Sequence, residues 1–83
     1  MCSAMTREIE IDAIGLLCPL PVLRARKALA QLPEGAILRL LASDPAAVVD
    51  VPHFCAQAGH VFLDMTDSTD HTVYRIRRGP GPA

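Results

Sequence analysis

The chain predicts a two-layer α/β sandwich (α+β), with two helices laid on one face of a sheet. Two observations carry that reading. Four short β signals and two helical signals alternate in the order β-α-β-α-β-β. The stronger helical segment carries a single apolar stripe, as a helix with one covered face does. With 83 residues, 51% of them hydrophobic, the chain has room for one domain and a modest core. One Tyr, two Phe and no Trp mean that the core is built from Leu, Val, Ile and Ala.

Residues 7–12 alternate polar and apolar with period two, the pattern of a half-buried strand. Residues 19–32 predict the first helix, with Val22, Ala25, Leu29 and Leu32 on one face and Ala28 beside them. Pro33-Glu34-Gly35 ends it. Residues 36–42 are almost continuously apolar, which predicts a central strand covered on both sides or nearly so. Ser43-Asp44-Pro45 punctuates the chain and suits the start of a helical turn. The second helix is expected from about Pro52 to Ala58, after a looser turn over 45–50, because proline fits a first helical turn better than a middle one. Gly59 stops it, and residues 60–65 and 72–77 read as two strands joined by a polar turn. Residues 1–6 and 79–83 are expected to be flexible ends, leaving 7–78 as a single domain.

A net charge of −1 supplies no global field to recruit nucleic acid, and few aromatics are present to stack bases. Arg75, Arg77 and Arg78 fall on an edge-like strand, where basic side chains discourage sheet-to-sheet association. No apolar stretch approaches the roughly 18–20 residues that span a bilayer, and the N-terminus lacks the apolar middle of a signal peptide. Three cysteines cannot close a disulfide framework and fit a reducing compartment, so a cytoplasmic location is expected. So short a chain leaves little room for a deep substrate cavity. Chemistry at a surface shared with another protein is expected instead.

The chemistry centres on Asp12-Ala-Ile-Gly15-Leu-Leu-Cys18-Pro19-Leu-Pro21. This run presents a thiol where a turn becomes a helix. Gly15 loosens the approach, while Pro19 and Pro21 suit a first turn whose N–H groups lack intrahelical partners. Those unpaired donors and the helix dipole favour an anion, which for cysteine is the reactive thiolate. Asp12 reads as a strand-end cap or turn residue. No general base is evident near Cys18 in the sequence, since His53, His60 and His71 all lie far along the chain.

Gly15-Leu-Leu-Cys18-Pro19-Leu-Pro21, with Asp12 ahead of it, resembles the hallmark of the TusA/SirA family of small sulfur-carrier proteins. The similarity continues through Arg26-Lys27, Pro33-Glu-Gly35, Asp44-Pro45, Asp50-Val-Pro52, Phe54-Cys55 and Gly59-His60. The resemblance implies a mixed four-stranded sheet, related to that of the C-terminal domain of translation initiation factor three. It also implies that Cys18 accepts a sulfane sulfur as a persulfide and hands it on. The implied donor is a cysteine desulfurase or a rhodanese-type protein, the implied recipient a downstream acceptor protein, and no cofactor or metal is implied. Members of the family serve tRNA 2-thiouridine formation, molybdenum-cofactor maturation, sulfur oxidation and selenium metabolism. Leu20 stands where an acidic residue is common in tRNA-thiolation members. Arg24, Arg26, Lys27 and Asp44 are the expected partner-docking residues.

Other readings remain for the same residues. Cys18 is incidental if the chain is a regulatory interaction module, and Cys18 with Cys55 forms a redox pair if it is a dithiol enzyme. No Cys-x-x-Cys supports the latter, and Cys55 beside Phe54 and Ala58 reads better as core. Cys2 reads as a terminal thiol without function. A zinc site from His53, Cys55 and His60 matches no common ligand spacing.

Overall fold

The computed structural model describes residues 8–80. Its elements are β1 (Glu8–Ala13), α1 (Leu20–Ala30), β2 (Ile37–Ala42), α2 (Ala47–Ala58), β3 (Val61–Asp67) and β4 (Thr72–Arg77). They form one mixed four-stranded sheet in the order β1-β2-β4-β3. β1 and β2 are parallel, while β4 runs antiparallel to both β2 and β3. α1 is the crossover between the parallel neighbours and packs on both; α2 packs against α1 and β3. The predicted sandwich, with its element order, is the observed one.

Alternation along the strands explains the two layers. Leu38, Leu40 and Ala42 of β2 point under the helices, with Tyr74 and Ile76 of β4 as cross-strand partners of Leu40 and Leu38. Ala25 and Leu29 from α1, with Val51, Phe54 and Cys55 from α2, close the core from above. Ile37, Arg39 and Leu41 face the other way and are only half-buried. β2 is therefore central but covered on one face, so its continuous apolar run overstated its burial. That second face carries charge pairs across strands: Arg39 reaches Glu10 at 3.3 Å, and Arg75 grips both oxygens of Asp64, the shortest contact being 2.7 Å. The strand bearing Arg75 and Arg77 is not an edge; β1 and β3 are the edges. Arg75 thus serves a cross-strand ion pair rather than edge protection.

α2 begins earlier than expected and takes Pro52 inside it. The start signal is Asp44: its Oδ1 accepts the Ala46 N–H at 3.1 Å, and its carbonyl accepts the Ala47 N–H at 3.0 Å. A proline inside a helix costs about 3 kcal/mol. Burial of Val51 and Phe54 at about 1.5–3 kcal/mol each offsets that.

The tail expected from Gly79 is held at its first residue. Gly79 is buried, and its N–H donates to Nδ1 of His60 at 3.0 Å. A Cβ at this position would lie 1.7 Å from the Gly59 carbonyl oxygen, so only glycine fits this approach. Residues 1–7 and 81–83, and with them Cys2, lie outside the described residues.

Candidate functional site

The parallel register pairs Asp12 with Leu41 and Ala13 with Ala42, so β1 and β2 end side by side. The loops that follow are therefore neighbours, although nearly thirty residues separate them in sequence. Asp12 Oδ1 accepts the Ile14 N–H at 2.9 Å and turns the chain out of β1. Gly15 sits at φ +87°, a left-handed conformation that side chains disfavour. Its N–H donates to Ser43 Oγ at 2.9 Å, which fastens the first loop to the second. Both residues shape the turn; neither touches the thiol.

Cys18 is exposed at the end of this loop, joined to Pro19 by a cis peptide bond. Its N–H donates to Asp44 Oδ2 at 2.5 Å, and its thiol donates to Asp50 Oδ2 at 2.9 Å. Asp44 comes from the loop after β2 and Asp50 from the first turns of α2. Folding thus brings two carboxylates to a cysteine that sequence reasoning left without a base. Neither is signalled by spacing to Cys18. A parallel β-α-β unit followed by a helix is the signal that would have found them, because it gathers both loops at one end of the sheet. None of the three histidines acts on Cys18.

The expected preference for a thiolate is overturned. The Leu20 N–H donates to Leu17 O at 2.8 Å, Pro21 has no N–H, and the Leu23 N–H donates to Pro19 O at 3.1 Å, so the first turn of α1 offers few free donors. Against that remnant stand the two carboxylates. The hydrogen bond to Asp50 first, then burial, then the charges of Asp50 and Asp44, push the Cys18 thiol above its ordinary value of 9.0. The hydrogen bond to Asp50 favours the neutral thiol over the thiolate.

Asp44, an expected docking residue, accepts the Cys18 and Ala46 N–H groups and so ties the Cys18 loop to the turn that leads into α2. The basic trio divides. Arg24 and Lys27 line a groove of about 620 Å³ with Ile9, Ile11, Ala28, Gln31 and Leu32, while Arg26 is exposed outside that lining. Exposed apolar side chains neighbour Cys18 and Asp50 in the chain. Ile14, Leu17, Leu20 and Leu23 flank Cys18 along the chain, and Val48 and Val49 precede Asp50; all are exposed, Leu17 at 69% and Val49 at 71%.

Cys55 lies in the core at 1% exposure, where burial pushes its thiol up to about 11. Among the described residues, no three His, Cys, Asp or Glu side chains gather as a metal ion requires. Nor is any helix among them long and apolar enough to cross a membrane.

The described residues thus form a small α+β sandwich with an exposed thiol, Cys18, on the loop ahead of α1, a class of small protein built to meet its partners at a surface. Comparisons with known proteins place the chain within it. The profile of the family described as sulfurtransferase TusA matches residues 9–78, and the chain belongs to that family of sulfur carriers. The sulfur carrier protein TusA of Pseudomonas syringae pv. syringae is 35% identical over 74 residues, covering 89% of this chain and 88% of its own length. A Neisseria meningitidis serogroup A protein provisionally named a sulfur carrier is 53% identical over 57 residues, 69% of this chain and 77% of that one. The crystal structure of a SirA-like protein from Desulfitobacterium hafniense superposes with a TM-score of 0.74 at 29% identity, covering 84% of this chain and 96% of the other. A sulfur carrier implies a donor and an acceptor.

Proposed function

We propose that Cys18 takes a sulfane sulfur as a persulfide from a cysteine desulfurase or rhodanese-type donor and relays it to a downstream acceptor protein in the cytoplasm, as in tRNA 2-thiouridine synthesis. The observation that carries this reading is the exposure of Cys18 within an apolar rim, on a loop fastened by Ser43 and Asp44. A partner's reactive sulfur can reach such a thiol without entering a cavity, and the rim supplies the docking surface. Arg24 and Lys27 add a basic flank along α1 for an acidic region of the same partner. Burial of Cys55 speaks against a dithiol mechanism, which requires two accessible sulfurs.

The test is incubation with a cysteine desulfurase and cysteine, followed by intact mass spectrometry. The protein is expected to gain one sulfur atom and Cys18→Ser none. Equal gain in both would refute the reading.

A further inference from the structure

Two carboxylates meet Cys18, one at its thiol and one at its backbone N–H. The Cys18 thiol donates to Asp50 Oδ2 at 2.9 Å, and the Cys18 N–H donates to Asp44 Oδ2 at 2.5 Å. Among the described residues, Asp50 and Asp44 are the charged groups that act on the thiol, with no Lys, Arg or His beside them. The surroundings are the reverse of the electropositive sites that activate catalytic cysteines. A thiol can donate to a carboxylate, whereas a sulfur anion cannot and is repelled by it.

We infer that Asp50, backed by Asp44, sets the direction of sulfur flow: it holds the empty Cys18 as a neutral thiol and repels the anionic terminal sulfur of the loaded carrier, favouring release. The inference rests on the carrier reading of Cys18. Loading is R–S–SH + Cys18–SH → R–SH + Cys18–S–SH. The donor S–S bond breaks, a new S–S bond forms on Sγ, and the Cys18 proton ends on the donor sulfur. The sulfane sulfur changes place without net oxidation. Persulfides are stronger acids than thiols, so the loaded group then gives its proton to solvent and stands as Cys18–S–S⁻ beside two carboxylates. The empty state keeps a hydrogen bond that this anion lacks, and the loaded state meets a repulsion that the thiol escapes. Both effects push sulfur onward to the acceptor.

Two measurements on the full chain test this. In the first, iodoacetamide alkylation of the Cys18 peptide is followed by mass spectrometry across pH, for the wild type, Asp50→Asn and Asp50→Ala. The wild-type midpoint is expected above the ordinary 9.0. In both variants it is expected to fall, with Cys18 reacting about threefold or more faster at neutral pH. In the second, each protein is equilibrated with glutathione persulfide and glutathione, and the loaded fraction is read by intact mass. The ratio of loaded to empty carrier is expected to rise about threefold or more in the variants. If the wild type loads but neither the profile nor the ratio moves in the variants, the inference falls and the carrier reading stands. If the profile shifts but no protein takes up sulfur, the carrier reading fails and the inference falls with it.

Discussion

The backbone N–H of Gly79 donates to Nδ1 of His60 across 3.0 Å, clasping the segment that leaves β4 to the residue just before β3. With Nδ1 as acceptor, the ring proton sits on Nε2. Burial, and then the nearby Arg78 guanidinium, hold His60 below its ordinary value of 6.5. Between that value and the lower folded one, the unfolded chain binds more protons than the native protein. This contribution to stability is therefore complete above pH 6.5 and is lost as pH falls through the folded value. Urea midpoints at about pH 7.5 and about pH 5.5 are expected to show the decline. His60→Asn keeps an acceptor for Gly79 and is expected to decline less.

Asp44 fastens two backbone groups at once, so its loss loosens both loops. Asp44→Ala is expected to lower stability by about 1–2 kcal/mol. The Cys18 and Ala46 amides are expected to exchange faster with solvent deuterium. Asp44→Asn keeps its carbonyl oxygen and is expected to lose less. Unchanged exchange at both amides would contradict the tether seen here.

Cys55 is a core residue, and its chemistry is suppressed by burial. In the native protein its alkylation is expected to be slow beside that of Cys18. Cys55→Ala is expected to cost about 1 kcal/mol for the small void left by one sulfur, with sulfur loading intact. Loss of loading in a folded Cys55→Ala protein would restore the dithiol reading.

Leu17 precedes Cys18 and Val49 precedes its partner Asp50; both are exposed and contribute little to the fold. Leu17→Asp and Val49→Asp are expected to leave thermal stability nearly unchanged. They are expected to raise the KM for a protein donor about tenfold, since each places a charge in an apolar contact. Alkylation of Cys18 by a small reagent reports only on the thiol, so it separates docking from reactivity.

Much of this was legible in the sequence because it is local. Period-two and helical patterns located all six elements, and Gly15, Cys18 and the prolines marked the loop that leads into α1. What escaped was set by tertiary contacts. Pro52 reads as a helix start, yet a turn held by Asp44 leads into α2 at Ala47 and the burial of Val51 and Phe54 carries the helix through it. The sequence from 72 to 77 reads as an edge, yet β4 inserts between β2 and β3 and pairs Arg75 with Asp64. Above all, the helix end suggested an ionised Cys18, while the parallel β1–β2 pairing brings Asp44 and Asp50 to it and reverses that sign. A local rule worth under one pKa unit gives way to two adjacent carboxylates.

The central claim is that cargo sulfur resides on Cys18 and leaves it again. Peptide mapping by mass spectrometry tests it most directly, after loading by a cysteine desulfurase and again after a chase with excess thiol acceptor. The added sulfur is expected on the Cys18 peptide alone and is expected to be gone after the chase. Sulfur found on Cys55 or Cys2, or sulfur that survives the chase on Cys18, would contradict the account.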